Sequence, residues 1–499
     1  MTEENEKLPP LPQGWIWTKL EELADVVDVD HKMPKSVRDG VHFISPKDFV
    51  DPEGIDFENS KRISEEDFQR LSRKCKPESG DLIYSRIGTI GKVRKVPRDT
   101  LFHVSYSLCL IKPADTLKES DILYVFLKSP SVLKQALAKK RSIGVPDLGL
   151  GDIKKFMVPL APLNEQKRIV GMVRELFSRL DAGVEGLRKV KAQLKRYRQA
   201  VLKYAFEGKL TEKWRKTHKH ETEPATKLLE KIEQEREKDP KRKEPILIDK
   251  SELPEIQESW IWTTIGSLFD VCSGGTPSRR KPEYWNGNIP WVSSGEVAFC
   301  EIKSTNEHIT KEGLENSSAK LYPTGTVLMA LYGEGKTRGQ AAILRMTAAT
   351  NQAVACILCA SSPMPPEYVY WWLYCRYYET RLVGEGANQP NMYLHHVRKM
   401  IIPVAPLLEQ KEIILKVEEL LTVADEIAGT VETSLLQAER LRQSILRTAF
   451  EGKLVPQDPS DEPAEKLLER IKAERAKSMG EKDTNSKNKS QLELFTYVK

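Results

Sequence analysis

PLAPLNEQKRIV (Pro159–Val170) and RQAVLKYAFEGKL (Arg198–Leu210) return later in the chain as PVAPLLEQKEII (Pro403–Ile414) and RQSILRTAFEGKL (Arg442–Leu454). Both motifs are displaced by the same amount, 410 − 166 and 450 − 206, each 244 residues. The stretch between them therefore keeps its length in both copies, a constraint that a surface loop does not impose. A heptad frame fits each copy. In the first, Ile169, Leu176, Gly183, Val190 and Tyr197 take position a, and Val173, Leu180, Leu187, Leu194 and Val201 take position d. In the second, Ile413, Leu420, Ile427, Ser434 and Leu441 take a, and Val417, Ala424, Val431, Ala438 and Ile445 take d. Five heptads in each copy predict two long coiled-coil helices. Charge selects the pairing. Residues 165–210 hold twelve Lys/Arg and five Asp/Glu, whereas 409–454 hold six and nine. A basic and an acidic helix prefer each other, and two halves related by a two-fold axis would run antiparallel. Gly208 and Gly452 stand where a helix-ending glycine belongs.

The repetition extends outward. GWIWTKLEEL (Gly14–Leu23) matches SWIWTTIGSL (Ser259–Leu268), and EPATKLLEKIEQER (Glu223–Arg236) matches EPAEKLLERIKAER (Glu462–Arg475). The chain is thus two half-proteins of one design. Between the repeats lie mixed blocks with short β-like runs, DLIYSRIG, TVLMALYG and AVACILCA, and shorter helical stretches around ILYVFLKSPSVLKQAL and EYVYWWLYCRYYETRLV. The expected class is α+β: two globular α+β domains separated by two long helices forming an antiparallel coiled coil, with an internal pseudo-two-fold repeat. The expected boundaries are 1–160 for the first domain, 161–210 for the first long helix and 211–255 for a linker with a short helix near Ala225–Lys238. They continue with 256–404 for the second domain, 405–454 for the second long helix, 455–478 for a short helix and 479–499 for a disordered tail.

Composition narrows the function. Charged residues make up 30% of the 499 and no apolar run reaches the length of a membrane span, so the expectation is a soluble cytoplasmic protein without a membrane partner. No basic start leads into an apolar secretory segment. Seven cysteines, an odd number scattered through both halves, fit a reducing compartment. Cys356 and Cys359 form a lone C-x-x-C inside an apolar run and read as buried strand. A formal net charge of +6 is permissive for nucleic acid without demonstrating it.

Enzyme-like stretches do not complete their motifs. Gly335-Lys336-Thr337 resembles the end of a phosphate loop, but Ala330 stands where the leading glycine is required. SRIGTIGKVR (Ser85–Arg94) has the same defect, so both read as a strand–glycine loop–strand element. Asp147 and Asp152-Ile153-Lys154 imitate a Mg²⁺-dependent nuclease, yet the carboxylates lie too close in sequence for the usual hairpin, and Asn391, His396 and Arg398 replace them in the second copy. His395-His396 cannot aim both rings at one metal. No catalytic and no metal-binding residue emerges.

Basic and polar side chains instead gather on glycine-rich stretches of both mixed blocks. In the first they are His31, Lys32, Lys35 and Arg38; Arg86, Lys92 and Arg94; and Lys139, Lys140 and Arg141. In the second they are Thr276, Ser278, Arg279 and Arg280 of SGGTPSRRK (Ser273–Lys281); Lys336 and Arg338; and Asn388, Gln389 and Asn391 of NQPN. Lys and Arg suit phosphates, and Arg, Asn and Gln can contact base edges in pairs of hydrogen bonds. The aromatic run Tyr368, Tyr370, Trp371, Trp372 and Tyr374 has helical spacing and reads as core.

These motifs together resemble the specificity subunits of type I restriction-modification systems. The resemblance rests on the paired EQK entries, the two helices ending AFEGKL, the stretch LKRYRQAVLKYAFEGKLTEKW (Leu194–Trp214) and SGGTPSRRKPEYWNGNIPWVSSGEV (Ser273–Val297), and it covers roughly residues 12–475. It implies a non-catalytic subunit whose two target-recognition domains each read half of a bipartite, asymmetric double-stranded DNA target. The helices would set the spacer and dock two methyltransferase subunits. No cofactor is implied in this chain. S-adenosylmethionine, ATP and Mg²⁺ would belong to the methyltransferase and to the restriction and translocase subunits, which methylate adenine and cut. One departure stands out: DVDHKMPKSVRDG (Asp28–Gly40) replaces the GGTPS loop in the first domain. The alternatives are a self-contained Mg²⁺-dependent nuclease with its own recognition domain and a coiled-coil scaffold that binds no DNA.

Overall fold

Each repeated motif folds as one helix of 44 residues, Leu163–Phe206 and Leu407–Phe450. Pro162 and Pro406 stand at the N-caps, where a proline loses no helical hydrogen bond, and their carbonyls accept from Gln166 and Gln410 N–H at 2.9 Å. At the other ends Gly208 and Gly452 adopt φ of +70° and +67°. That left-handed turn lets the Lys209 and Lys453 N–H groups close on the Tyr204 and Thr448 carbonyls, at 2.9 and 3.0 Å.

The computed structural model describes residues 8–477 apart from 51–52, 119, 141–143, 239–243, 245, 247, 250, 252, 334 and 383–390. The chain divides into two compact units, Met1–Leu187 with Thr433–Lys499, and Arg188–Glu432. Each unit thus holds half of the helix pair. In the first, Arg442 pairs with Asp181; in the second, Lys191 pairs with Glu432 and Arg198 with Asp425. The residue numbers of every pair add up to 623, so the register is antiparallel and constant.

The inward stripe corrects part of the heptad frame. Val173, Leu180, Leu187, Leu194 and Val201 face inward as expected, as do Val417, Ala424, Val431, Ala438 and Ile445. The second row, however, runs one residue later than expected on either side of the helix centre, at Phe177, Val184 and Arg198 in the first and at Leu421, Ala428 and Arg442 in the second, whereas Val190 and Ser434 are half-buried as expected, Ser434 together with Leu435. Tyr197, Ile427 and Leu441, expected on the seam, are 42%, 42% and 53% exposed, and Gly183 faces open space. Apolar residues occupy both candidate rows in places (Leu176 beside Phe177, Leu420 beside Leu421), so hydrophobicity alone does not choose. The partner helix does: Arg198 and Arg442 belong to the row whose guanidinium groups reach its carboxylates.

Both units carry a head of the same topology. In the first, Ile16–Lys19 pairs antiparallel with Met157–Leu160. A central sheet orders Ala24–Val27, Leu108–Pro113, Leu82–Ser85 and Val93–Lys95, and a smaller sheet orders Lys61–Ile63, Val41–Ile44 and Phe102–Val104. In the second, Ile261–Thr264 pairs with Ile401–Val404. Its central sheet orders Val271–Ser273, Val354–Ile357, Val327–Ala330 and Ala341–Leu344, with Cys300–Ile302 added at the edge. Its smaller sheet orders Glu307–Ile309, Trp285–Val292 and Ala348–Thr350, with Leu321–Tyr322 added. Even the one parallel pairing inside the smaller sheet recurs, Val41–Ile44 with Phe102–Val104 and Trp285–Val292 with Ala348–Thr350.

The repeated motifs seal each head onto the helices. Trp15 Nε1 donates to Glu165 at 3.0 Å, and Trp260 Nε1 donates to Glu409 at 2.9 Å. Gln166 and Gln410 side chains donate to the Ala161 and Ala405 carbonyls, both at 2.8 Å. The phenylalanine of each AFEGKL end packs into the head of its own unit. Phe450 meets Phe126 edge-on at 5.1 Å, and Phe206 meets Tyr368 and Trp372 at 5.3 and 5.0 Å. Burying each such ring contributes about 2–3 kcal/mol. Tyr368, Tyr370 and Trp372 are buried core of the helix Pro366–Cys375, as expected.

The short helix of the expected linker and the expected short helix within 455–478 also enter these cores. Ala225, Leu228 and Ile232 of Ala225–Glu237 join the second unit's core, and Arg236 pairs with Asp270. Ala464, Leu467 and Ile471 of the helix at 464–477 join the first unit's core, where Arg475 pairs with Asp25. The expected tail at 479–499 lies outside the described residues.

Candidate nucleic-acid interface

Antiparallel pairing gathers equivalent turns at one end of each central sheet. In the first unit these are the segment after Val27, the 86–92 hairpin turn, the 105–107 turn and the segment at 146–148, tied in by Gly88 N–H to the Pro146 carbonyl at 2.8 Å. In the second they are 274–281, 331–340, 351–353 and the segment at 391–393, tied in by Met392 N–H to the Leu331 carbonyl at 3.2 Å. Such an end has short connections on a rigid sheet, which is where recognition side chains are displayed. The two glycine stretches that imitate phosphate loops are the same hairpin in the two heads. Ser85 N–H bonds the Lys92 carbonyl at 2.9 Å, and Ala330 N–H bonds the Gln340 carbonyl at 2.9 Å.

The expected contact residues sort by burial. Lys32, Lys35 and Arg38 are exposed on the segment after Val27, where the Lys32 N–H donates to Asp30 at 3.1 Å. Thr276 is half-buried and its hydroxyl donates to the Gln352 carboxamide oxygen. Ser278 and Arg280 are exposed. Lys336 is exposed, with its carbonyl held by the Tyr377 hydroxyl at 2.6 Å, and Arg338 donates to the Arg381 carbonyl at 2.9 Å. Lys92 and Asn391 are half-buried. Arg141, Asn388 and Gln389 lie outside the described residues.

Three arginines depart from expectation. Arg86 is 5% exposed, within ion-pair reach of Asp147 (3.4 Å) and Asp28 (3.7 Å). Its structural counterpart, buried Leu331, shows that the position is core: Arg86 and Leu331 N–H bond the Ser107 and Ala353 carbonyls in turn, at 3.0 and 2.8 Å. Arg94 is 3% exposed and donates to the Gly54, Val93 and Val50 carbonyls at 2.9 Å each. Both guanidinium groups are enclosed: Arg94 on its strand and Arg86 just past Leu82–Ser85 lie where both faces of the sheet are covered, a burial invisible to a count of basic residues. Arg279 is exposed, but Glu307 holds its guanidinium, which lies 3.6 Å from the Trp285 ring. Bonding to Arg279 holds the Glu307 carboxyl below its ordinary range.

Residues that the sequence did not nominate share this end. Tyr106 stacks on His31 at 5.5 Å, Gln352 is exposed beside Thr276, and Tyr332 meets Tyr393 at 6.5 Å. Single aromatic and amide residues in short turns carry no sequence signal; only strand register brings them to the sheet end. Among the described residues no group of three or more His, Cys, Asp or Glu is arranged to hold a metal ion. His395 and His396 lie in the helix Leu394–Lys399, and His396 accepts the Tyr393 N–H at 3.0 Å. Cys356 is buried in its strand and Cys359 just beyond it, as read from the sequence. No described helix is long and apolar enough to cross a membrane.

The family profile described as "Type I restriction modification DNA specificity domain" matches residues 8–196 and 257–435. The chain belongs to this family. It is 27% identical over 389 residues to the type I restriction enzyme EcoDI specificity subunit of Escherichia coli, covering 74% of this chain and 80% of that one. It is 28% identical over 370 residues to the EcoBI specificity subunit of the same species, covering 72% and 73%. A chain from a solved structure titled for complex assembly and conformational transition of the type I R-M system superposes with a TM-score of 0.60 at 17% identity, covering 89% of this chain and all of that one, and so shares its fold. The two matched segments of the profile are the two heads with most of the long helix that follows each. Specificity subunits of this family recognise DNA and carry no active site of their own; the nuclease and the DNA-free scaffold are set aside on that ground.

Proposed function

We propose that each head reads one half of a bipartite DNA target with its sheet-end turns, and that the paired helices set the unread spacer. The carrying observation is one topology presented twice with unrelated chemistry at the reading end, on two helices of equal length. Constant scaffold with variable turns is what recognition of two different half-sites requires. Lys32, Lys35, Arg38, Arg280 and Lys336, all exposed, are the proposed phosphate contacts. Arg338, Lys92, Ser278 and Asn391 flank them on the same turns.

The exposed faces of the helix pair would dock two methyltransferase subunits, one for each repeated surface, and a restriction and translocase subunit would join the assembly. In this reading S-adenosylmethionine, ATP and Mg²⁺ act in those subunits, within the cytoplasm. The test exchanges residues 15–158 for the equivalent block of a relative while retaining both long helices and 464–477, then sequences methylated sites in cells that co-express the methyltransferase partner. One half of the target should change and the other should persist. A change in both halves together would refute the division of labour.

A further inference from the structure

Backbone hydrogen bonds align the two heads residue by residue at the reading end. Ser105 N–H bonds the Ile44 carbonyl at 2.8 Å, and Asn351 N–H bonds the Val292 carbonyl at 3.0 Å. Leu108 N–H then returns to Ser105 at 2.9 Å, as Val354 N–H returns to Asn351 at 3.4 Å. Tyr106 and Gln352 are therefore the same position. On the neighbouring strand, Val27 lies opposite Leu110 and Cys272 lies opposite Cys356, which are themselves equivalent. Counting four residues on from each reaches His31 and Thr276. These two equivalent positions touch each other in both heads. His31 stacks on Tyr106 at 5.5 Å, and the Thr276 hydroxyl donates to Gln352.

In the second head the backbone beneath the pair is pinned. Gly275 N–H bonds the Thr350 carbonyl at 2.8 Å, and Trp291 Nε1 bonds the Gly275 carbonyl at 3.0 Å. A Cβ on Gly274 would sit 2.0 Å from the Thr350 carbonyl oxygen, so glycine alone permits this approach. Across the turn, Asn351 folds its side chain inward to accept the Ala353 N–H at 3.1 Å. Gln352 at the tip is exposed, with its carboxamide oxygen bonded to Thr276 and its NH₂ group as the donor end. A pinned backbone carrying one exposed, oriented amide is a preorganised base reader.

Resting on the two-head reading, we infer that this turn position is a specificity-determining contact in both heads: Gln352, positioned by Thr276, reads a purine edge of the second half-site, and Tyr106, stacked on His31, takes the same place over the first. A carboxamide matches the N7 and N6 groups of adenine in the major groove, and its NH₂ end alone matches N7 or O6 of guanine.

The assembled complex carrying Gln352→Ala is the test, read by methylation-site sequencing. Discrimination at one base pair of the second half-site should fall roughly 5- to 150-fold, the range for one lost paired contact. The first half-site should keep its sequence. Thr276→Val, which leaves Gln352 present but unpinned, should relax the same base pair more weakly, and Tyr106→Ala should relax a base pair in the first half-site only. An unchanged target with Gln352→Ala, or relaxation in both halves, overturns the inference. If methylation is lost altogether, binding of the complex to duplexes substituted one base pair at a time decides: equal weakening on all of them overturns it. Should the unaltered complex show no bipartite target, the two-head reading itself fails, a distinct outcome.

Discussion

Two buried glutamates stand at the same place in the repeat with different neighbours. Glu409 receives Trp260, the Thr211 hydroxyl at 2.7 Å and Arg215 Nε at 2.8 Å. Removing the guanidinium leaves a carboxylate that is fully enclosed, so Arg215→Ala should destabilise the second unit by about 3 kcal/mol. Chemical denaturation followed by tryptophan fluorescence would measure it, and a loss under about 1 kcal/mol would show that Trp260 and Thr211 suffice. Glu165 receives Trp15 and has valine, Val455, where Glu409 has Thr211. Burial pushes its carboxyl above the ordinary value of 4.5, partly offset by the Trp15 N–H and Arg168. A carboxyl with a raised folded-state pKa binds its proton more tightly when folded. The stability it contributes is present below the unfolded value and is lost as pH rises through the raised one. Glu165→Gln removes that titration, so the melting temperature of the variant relative to the parent should climb as pH rises above 4.5 and level once the carboxyl is ionised. Parallel melting curves across that window would contradict the assignment.

At the scale of elements, the turn after Val271–Ser273 divides the labour of neighbouring arginines. Arg279 lies on Trp285 and is held by Glu307, which ties the turn to the strand Glu307–Ile309. Arg280 beside it is exposed. Arg279→Ala should lower the thermal stability of the head by about 1 kcal/mol, the worth of one stacked, half-exposed guanidinium, with the salt dependence of DNA binding unchanged. Arg280→Ala should keep stability and reduce the slope of log binding constant against log salt by about one. Reversed outcomes would exchange their roles. The sequence showed both arginines on one glycine-rich stretch but could not separate them, because Glu307 is distant in the chain and only strand pairing delivers it.

For the molecule as a whole, the constant register of the helix pair makes their length testable as a ruler. Gly183 lies level with residue 440, since paired residue numbers add up to 623. Four residues inserted after each of those positions would lengthen both helices by roughly 6 Å while keeping the pairing level. Four extra residues in both partners form a stutter, which a coiled coil absorbs by local unwinding. The spacer of the methylated target should grow by one or two base pairs with both half-sites unchanged. An active complex with an unchanged spacer would assign the gap to the methyltransferase subunits.

The sequence by itself determined the repeat, the two helices and their ends, the antiparallel partnership of basic with acidic helix, and the family, because these depend on local periodicity, glycine positions and charge that recur at a fixed spacing. It also marked the sheet-end turns as polar and basic. Only the tertiary structure decided which row of each helix completes the seam, since apolar residues occupy both rows and the partner's Asp181 and Asp425 make the choice. It alone enclosed Arg86 and Arg94, where a sheet covered on both faces offers the Gly54 and Val50 carbonyls and the Asp147 carboxylate to their guanidinium groups. It placed the AFEGKL ends and the short helices Ala225–Glu237 and 464–477 in the cores of the heads, because their apolar faces are covered by residues beyond the reach of local periodicity, Tyr368 and Trp372 over Phe206 and Phe126 over Phe450. And it brought Gln352 beside Thr276 and Tyr106 beside His31, pairs that exist only once two strands are in register.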